Sequence, residues 1–335
     1  MLHFLKLTES FFDDFLALVL NELVCAFKLF LCDFGVFLDL FHECICELCH
    51  VFLGLHDLLI HNDRGYVSHN QKLVCAAGDL NVDLIFPTLH GPYGEDGSIQ
   101  GFFEIADLPY VGSGVLASAV AMDKSFAKPI FAAHGLKVAD GFTVTATQWS
   151  SDKSEWQKKA DALGYPIFVK PARGGSSRGT TKVKSAKDFA AAIDEAHSFD
   201  SKALVEKAIH GLEVECAVLE INGSPEASVV GSISIDPKFE FYDFQAKYLD
   251  NSMELIVPAD LPAGVQSKIQ QAAITAFNAA GCEGLARVDF FYSTQGEIII
   301  NEINTMPGFT PTSVYPKLIE KNGINYQELI TKLIT

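Results

Sequence analysis

Basic residues are scarce in this sequence: 25 lysines and arginines stand against 42 aspartates and glutamates, a net charge of −17. This surplus of negative charge argues against a nucleic-acid partner and against binding to anionic membrane surfaces. Long apolar runs are lacking as well, because charged residues interrupt the N-terminal stretch before it reaches the roughly 20 residues of a membrane span. The same early aspartates break the apolar core of a signal peptide, so the sequence predicts a cytoplasmic protein.

Cysteine is nearly absent from most of the chain. Six of the eight cysteines lie in the first 75 residues, and the remainder holds only Cys216 and Cys282. This usage is typical of a reducing compartment. With 49% hydrophobic and 20% charged residues, the 335-residue chain has the composition of an enzyme and the length for two or three domains.

Residues 1–72 contain no proline, yet they hold ten of the 26 phenylalanines. Their apolar residues show only a weak helical period, which favours helix over strand. The C-x-x-C-H spacing in this segment indicates haem attachment or a zinc site. A five-residue match in a cysteine-rich stretch is weak, so buried or incidental cysteines are the default interpretation. A segment that is not the native start of the protein is the other alternative. The side chains concerned are His42, Cys44, Cys46, Cys49 and His50.

The stretch 287–308 predicts a β-hairpin, because two β-branched or aromatic runs flank a Ser-Thr-Gln-Gly turn. Asp289 lies on the first strand, and Glu302 and Asn304 lie on one face of the second. If the register brings Asp289 opposite them, two carboxylates and an amide oxygen converge, a set that suits Mg²⁺ shared with substrate phosphates. Arg287 lies on the same face, beside the anion that such a metal would hold.

The segment 165–183 predicts a strand, a Gly/Ser loop and a second strand. The loop, 174–179, offers backbone N–H groups and hydroxyls with little side-chain bulk, which suits it to cover phosphates. It lacks the spacing of a P-loop, and a Gly/Ser hairpin tip is often only a turn. Lys170, at the end of the preceding strand, favours the phosphate-binding interpretation.

Residues 82–91 and 108–114 predict two strands around a short amphipathic helix, a β–α–β unit of an open α/β domain. Ligands of such domains bind at the C-terminal ends of the strands, where His90, Glu95 and Asp96 lie. A histidine at that position is as often structural as functional.

Other elements alternate along the chain. The long irregular stretch 236–262 is typical of a lid, and Lys247 and Tyr248 lie in its middle. Regular elements are expected over 115–136 (helix), 137–144 (strand), 151–164 (helix), 185–200 (helix), 203–209, 212–220 and 228–235 (strands), and 263–286 (helix), with a terminal helix after residue 310.

Several stretches together resemble the D-alanine–D-alanine ligases of the ATP-grasp superfamily. They are HGPYGEDGSIQG, PYVGSGVLASAVAMDK, FVKPARGGSSRG, YDFQAKYLD, RVDFF and NEINTMPGFTPTSVYP, in the order and spacing of the family from about residue 75 onward. The resemblance implies an ATP-grasp fold, α+β in that part, with an N-terminal open α/β domain whose residues 1–72 are atypical. The implied domains are 1–121, 122–210 (central subdomain) and 211–335 (C-terminal subdomain with metal site and lid).

The resemblance also implies a function. ATP phosphorylates the carboxylate of one D-alanine, and the amine of a second attacks the acylphosphate to give the dipeptide for peptidoglycan synthesis. The implied cofactors are ATP and two Mg²⁺ or Mn²⁺ ions, and the implied partners are small molecules. A homodimer is also implied, because members of the family commonly form one. The Lys247–Tyr248 pair is the form associated with D-alanine as second substrate.

Site residues follow from the matched motifs. The implied ATP-binding residues are Lys124, Lys170, Ser176, Glu206, Lys207, Ile209, Glu213, Phe241, Lys247, Phe291 and Asn301. The implied metal ligands are Asp289, Glu302 and Asn304. Arg287 and the backbone of Gly308 would stabilise the tetrahedral oxyanion, Lys247 and Tyr248 would act from the lid, and His90, Ser176 and Ser313 would bind the ends of D-alanine.

Two departures from the family set the alternatives. The family opens with a Gly-rich G-G-x-S-x-E-H segment whose glutamate holds the ammonium of the first D-alanine, and residues 1–72 hold no match to it. Either another carboxylate substitutes, or the first substrate binds poorly and the chain is a nucleotide-binding protein with impaired ligation. Another carboxylate–amine ligase is the further alternative. In addition, Arg178 replaces the usual apolar residue of the Gly/Ser loop.

Overall fold

The structure is a computed structural model that describes residues 66–68, 73–75, 78–80, 82–175, 177–235 and 253–335. Predictions for residues 1–65, including the Cys/His cluster, and for Ser176, Phe241, Lys247 and Tyr248 lie outside these residues. The first described elements are three short antiparallel strands, β1 (Tyr66–Ser68), β2 (Leu73–Cys75) and β3 (Gly78–Leu80).

The β–α–β unit forms around helix α1 (Ser98–Ile105). Its expected strands are reduced to one parallel bridge, between Ile85 and Tyr110. The strand over 82–91 was wrong in length, because Thr88 N–H bonds the Phe86 carbonyl and Leu89 N–H bonds the Pro87 carbonyl. These local bonds use the groups that a longer ladder would need.

The single helix expected over 115–136 was also wrong. It is two helices, α2 (Val115–Met122) and α3 (Lys124–Ala133), separated by Asp123 in extended conformation. The Asp123 carboxylate accepts a hydrogen bond from the Ser125 backbone N–H at 3.0 Å, so it caps a new helix. This break makes Lys124 the first residue of α3.

The central part is a four-stranded antiparallel sheet in the order β4-β7-β5-β6. Its strands are β4 (Gly141–Thr145), β5 (Ile167–Pro171), β6 (Thr181–Val183) and β7 (Lys202–Lys207). Three helices accompany it, α4 (Ala146–Ser151), α5 (Lys153–Leu163) and α6 (Phe189–Phe199), the last preceded by the 3₁₀ turn Ala186–Asp188. Their apolar faces form one core, which includes Trp149, Phe189 and Ile193.

The C-terminal part is a five-stranded antiparallel sheet in the order β10-β9-β8-β11-β12. Its strands are β8 (Gly211–Ile221), β9 (Ser224–Ile235), β10 (Met253–Ile256), β11 (Leu285–Ser293) and β12 (Ile298–Asn304). The helices of this part are α7 (Val265–Ala280), α8 (Val314–Lys321) and α9 (Tyr326–Ile334). Helix α7 ends at Gly281, whose φ of 69° is the left-handed conformation of a glycine stop.

Side chains alternate between the two faces of this sheet. On β8 and β11, Val214, Cys216, Val288 and Phe290 join a core shared with α3 and α7. Ala217, Leu219 and Leu285 face the other way, into a core with α8 and α9. The same second face carries charged residues toward the other end of the two strands, and these residues form the site described below.

The segment 137–145 links the two sheets. The strand expected over 137–144 divides in two, because Val138 forms a parallel bridge with Ile300 of β12, whereas Gly141–Thr145 pairs with β7. Helix α3 likewise packs on the C-terminal sheet through Ala127 and Phe131. The domain boundaries at 121 and 210 stay a prediction. Among the described helices, the longest of which has 16 residues, none has the length and apolarity to cross a bilayer.

Candidate active site

A cavity of about 500 Å³ lies where the central and C-terminal sheets approach each other. Strand β5, the Gly/Ser loop and the end of β7 line one part of it, and β8, β11, β12 and α3 line another. Every described residue that the sequence assigned to ATP lies on its wall. These residues are Lys124, Lys170, Glu206, Lys207, Ile209, Glu213, Phe291 and Asn301.

Lys124 connects the Gly/Ser loop to the hairpin. Its ammonium donates to the Gly174 carbonyl at 2.8 Å and pairs with the Glu302 carboxylate at 2.9 Å. The residue is only 6% exposed because α3 begins inside the molecule, at the Asp123 break. The first turn of α3 therefore places a cation between the loop and the predicted metal ligands.

Glu206 is held between two lysines at the end of β7. Its Oε1 lies 2.6 Å from Lys128 Nζ and its Oε2 lies 2.8 Å from Lys170 Nζ. Burial alone would raise the pKa of Glu206, but the charges of Lys128 and Lys170 outweigh it and hold that pKa at about 2. The carboxylate is therefore ionised at neutral pH.

The charge of Glu206 raises the pKa of both lysines, yet the net pKa shifts of Lys128 and Lys170 have opposite directions. Burial lowers the pKa of Lys128, and the neighbouring ammonium groups of Lys170 and Lys124 act in the same direction. Burial also acts to lower the pKa of Lys170, but Glu206, Glu302 and Glu213 together raise it. Lys170 therefore lies among several carboxylates and remains charged.

Sequence reasoning missed Lys128, which also lines the cavity. Its signal was its spacing of four residues from Lys124, which puts both lysines on one face of a largely apolar helix. It also missed Phe168, which lines the cavity from β5 and is the ladder partner of Glu206. An aromatic residue two positions before Lys170 shares its strand face.

The Gly/Ser loop covers one side of the cavity. Its residues Gly174, Gly175, Ser177 and Arg178 all contribute to the wall. Arg178, the departure from the family motif, places its guanidinium 5.7 Å from the centre of the Phe199 ring, at the end of α6. This contact attaches the loop to the end of α6.

The predicted hairpin is confirmed, with Asp289 directly opposite Glu302. The register shifts between Asp289 and Phe290, so that Asn301 is the bulged residue of β12. The bulge directs the Asn301 side chain into the cavity, where its Oδ1 accepts a hydrogen bond from Lys170 at 3.2 Å. The shift thus gives both Asn301 and Glu302 access to the site.

Arg287 binds the predicted metal ligand Asp289 directly. Its Nε and Nη2 donate to the two Asp289 oxygens, each at 2.8 Å, and Nε also lies 3.2 Å from Glu215. Glu215 is the ladder partner of Asp289 on the other side, in β8. Burial acts to lower the pKa of Arg287, but Asp289 and Glu215 raise it well above its usual value.

The chemistry of the donor set fits Mg²⁺ or Mn²⁺. Asp289 and Glu302 supply carboxylate oxygens, and Asn304, whose Nδ2 donates to Asp289 at 3.1 Å, supplies an amide. Within the described parts of the chain, no group of three or more His, Cys, Asp or Glu side chains could hold a metal ion. The set therefore depends on the amide as its third oxygen donor.

A second, smaller cavity adjoins the first at the end of β12. Glu95, Lys124, Gly174, Glu302 and Asn304 are among the residues that line it. Burial raises the pKa of Glu95, and the charge of Glu302 adds to this rise. The Gly91 N–H and the charges of His90 and Arg287 oppose it, so the β–α–β segment lies within electrostatic reach of the hairpin.

Of the described residues assigned to the substrate ends, Gly308 and Ser313 lie in the loop after β12, and His90 contacts that loop. His90 Nδ1 lies 2.9 Å from the Met306 carbonyl, which ties the β–α–β segment to the loop that follows the hairpin. Gly308 packs against Ser313, where a Cβ on the glycine would come within 3.1 Å of the serine Oγ. That hydroxyl accepts a hydrogen bond from the Thr310 N–H at 3.1 Å.

Two family models match the chain. Residues 130–335 match the model described as D-ala D-ala ligase C-terminus, and residues 59–113 match D-ala D-ala ligase N-terminus. The second match extends the likeness further toward the N-terminus than the sequence motifs indicated.

Similar proteins carry the same description. The D-alanine--D-alanine ligase of Arthrobacter sp. (strain FB24) is 53% identical over 257 residues, 76% of this chain and 67% of that protein. The ligase of the same description from Shouchella clausii is 51% identical over 254 residues, 76% of this chain and 68% of that protein.

Solved structures are similar as well. The VanG D-Ala:D-Ser ligase of Enterococcus faecalis has a TM-score of 0.73 and 38% identity, with 81% of this chain and 78% of that one covered. The D-alanine-D-alanine ligase of Coxiella burnetii has a TM-score of 0.70 and 37% identity, with 81% of this chain and 73% of that one covered.

Proposed function

Because this chain belongs to the D-alanine–D-alanine ligase family, we propose that it joins two D-alanines into D-alanyl-D-alanine at the expense of ATP, a step in making peptidoglycan precursors. A free carboxylate resists attack by an amine because its oxide is a poor leaving group. Phosphorylation removes this obstacle. A carboxylate oxygen attacks the γ-phosphorus and ADP leaves. The second D-alanine's amine then attacks the acyl carbon, phosphate leaves with the bridging oxygen, and the amine loses a proton.

One observation carries the proposal: eight residues assigned to ATP from separate motifs line a single cavity that also contains Glu302 of the hairpin. They come from α3, β5, β7, β8, β11, β12 and the turn after β7. Likeness of the separate motifs to the family would not by itself require these residues to line the same cavity. Phosphoryl transfer depends mainly on positioning and charge neutralisation, and this cavity supplies both.

Each part of the cavity has its own role in the proposal. Lys124 and Lys170 bind nucleotide phosphates, because their ammonium groups lie at the Gly/Ser loop and at Asn301. The adenosine lies against the end of β7 and the faces of β8 and β11. The residues for it are Glu206, Lys207, Ile209, Glu213 and Phe291, with Phe241 contributed by the lid.

Asp289, Glu302 and Asn304 would hold Mg²⁺ or Mn²⁺, two ions in all. When bound, these ions neutralise the charge on the phosphates of ATP. The chain's own cations surround the same ligands: Arg287 lies 2.8 Å from Asp289, and Lys124 lies 2.9 Å from Glu302. These pairs hold the carboxylates in position.

Arg287 and the Gly308 backbone stabilise the oxyanion of the tetrahedral intermediate in the proposal. His90, Ser176 and Ser313 bind the carboxylate and amine ends of D-alanine. The contact of Gly308 with Ser313 and that of His90 with Met306 support this assignment. The family motif assigns contact with the γ-phosphate to Lys247 and a role in the lid to its neighbour in sequence, Tyr248.

Purified protein with Mg²⁺ and ATP tests the proposal. We expect ADP release that depends on D-alanine and yields D-alanyl-D-alanine. Because the structurally similar VanG protein is described as a D-Ala:D-Ser ligase, D-serine and D-lactate are offered as competing second substrates, and the Lys247–Tyr248 pair favours D-alanine. ATP binding without D-alanine-dependent turnover would overturn the ligase assignment in favour of a nucleotide-binding protein. Turnover with other amines alone would indicate a related carboxylate–amine ligase.

The protein is proposed to act in the cytoplasm, where ATP and D-alanine are available, and to assemble as a homodimer. Exposed apolar side chains on α1 and α2 support assembly, because Ile105 is 90% exposed and Leu116 is 76% exposed. Light scattering on the purified chain measures the mass directly.

A further inference from the structure

Lys128 is a buried cation to which the roles above assign nothing. Its side chain is 8% exposed, it lines the cavity, and its ammonium lies 2.6 Å from Glu206 Oε1. Burying an ammonium is costly unless it is paired. Glu206, however, already has a partner in Lys170, at 2.8 Å from its other oxygen. The charge of Lys170 alone therefore neutralises Glu206, and the charge of Lys128 is in excess.

The excess charge changes what the cavity offers to an anion. Lys128 and Lys170 carry two positive charges, and Glu206 between them carries one negative charge. These three groups have a surplus of one positive charge. Beside them lie the neutral pair of Lys124 with Glu302 and the negative charge of Glu213, which also raises the pKa of Lys170. Without Lys128, the Glu206–Lys170 pair would be neutral too. Lys170 would then face a phosphate with its charge already offset.

We propose that Lys128 is a positioning residue whose charge offsets Glu206, so that Lys170 keeps a net positive charge for the nucleotide phosphates. This inference rests on the proposed function, because it takes ATP as the ligand of the cavity. Lys128 acts through Glu206 and Lys170. The low exposure of both partners, 5% for Glu206 and 15% for Lys170, strengthens the effect, because charges are screened less away from water.

Comparing ATP with adenosine separates this role from a merely structural one. Dissociation constants for both ligands are measured calorimetrically on the full chain and on the Lys128→Met variant, which keeps side-chain length and removes the charge. We expect ATP to bind about tenfold more weakly and adenosine to change by less than about twofold. A structural defect would weaken both ligands equally, and that result, or no change in either, would overturn the inference.

A second pair of variants keeps the test decisive if Lys128→Met does not fold. Both variants are measured at a pH low enough to keep the buried lysines protonated without Glu206, whose charge raises the pKa of Lys128 and of Lys170. Glu206→Gln then has two positive charges in the group, and Glu206→Gln/Lys128→Met returns to a surplus of one, as in the wild type. The ratio of adenosine to ATP dissociation constants should rise in the first variant and return toward the wild-type value in the second. Equal ratios in the two variants would overturn the inference. Neither variant leaves a buried carboxylate unpaired.

Two controls complete the design. Lys128→Arg keeps the charge and should keep the wild-type ratio. Lys137→Met removes a lysine that pairs with Glu297 at the surface, where it is 54% exposed, and should leave both constants unchanged. If wild-type protein binds ATP but forms no dipeptide, the proposed function is wrong. The inference about Lys128 is then still decided by the ratios of the adenosine to the ATP dissociation constants. Wild-type protein that binds no ATP would overturn both.

Discussion

Arg287 and Asp289 form a two-pronged ion pair, with Nε and Nη2 of the arginine each 2.8 Å from one carboxylate oxygen. The two residues are neighbours on one face of β11, and both were assigned to the site from the hairpin pattern. The pair fixes the orientation of the carboxylate before any ligand arrives. A metal ion would therefore meet a preorganised oxygen donor beside the cation assigned to the oxyanion.

Asp289→Asn should weaken metal binding, because it replaces a charged ligand with a neutral one. We expect the Mg²⁺ concentration for half-maximal turnover to rise at least about tenfold and turnover to fall about a hundredfold. Glu215→Gln is the matched control, since Glu215 also pairs with Arg287, at 3.2 Å, but is not an assigned ligand. An equal shift in Mg²⁺ dependence for both variants would contradict the metal assignment.

Glu206 should make the folded state sensitive to acid. Its pKa is held at about 2 against a usual value of 4.5, so its stabilising contribution is complete above pH 4.5 and is lost as the pH falls toward 2. Between pH 5 and 3, the wild type should lose on the order of 2 kcal/mol more unfolding free energy than Glu206→Gln.

Urea unfolding at a series of pH values measures this difference. Glu297→Gln is its control, because Glu297 pairs with Lys137 at the surface, where its side chain is 38% exposed, and such pairs contribute little. The control should follow the wild type. Parallel curves for the wild type and Glu206→Gln would argue against a strongly paired Glu206.

Gly179→Ala should disturb the Gly/Ser loop. Gly179 has a φ of +67°, and a Cβ there would lie 2.5 Å from the Phe199 ring. The loop must shift, so we expect the KM for ATP to rise several-fold, with a stability loss of about 1–2 kcal/mol. Gly223→Ala separates the two causes, because Gly223 has a φ of +74° but nothing within 4 Å. It should lose stability without a change in KM, and a similar KM for both variants would exclude a role for loop placement.

Cys216 and Cys282 should be chemically inert in the folded protein. Burial raises the pKa of both thiols to about 12, and Cys216 is fully buried. Alkylation by iodoacetamide at pH 8, followed by mass spectrometry of the two peptides, should proceed at least about a hundredfold more slowly in the native protein than in urea. Similar rates would show that the core around β8 opens readily.

Local pattern was enough to predict the hairpin of β11 and β12. Strand periodicity and turn composition act over a few residues, and they correctly predicted the two strands and their turn. The register between the strands was left open, and the structure supplies it by pairing Asp289 with Glu302. The glycine stop of α7 was equally local. The break at Asp123 was missed because apolar residues continue on both sides, although Asp-Lys-Ser contains the capping interaction that ends one helix and starts another.

Contacts between distant parts of the chain were beyond such reasoning. Lys128 and Glu206 meet only because α3 packs on one sheet and β7 belongs to another. The strand around Ile85 is shortened because the carbonyls of Phe86 and Pro87 accept local hydrogen bonds, which the sequence pattern does not indicate. The assigned ATP residues came from family likeness, and the structure adds their common cavity and the lysine that the motifs omitted.

The most direct test of carboxylate phosphorylation is an oxygen-transfer measurement. D-alanine labelled with ¹⁸O at both carboxylate oxygens is supplied with unlabelled ATP, and the phosphate released during dipeptide formation is analysed by mass spectrometry. If an acylphosphate forms in this cavity, each phosphate carries one ¹⁸O, because the bridging oxygen leaves with it. Phosphate that contains no label while dipeptide accumulates would contradict the account.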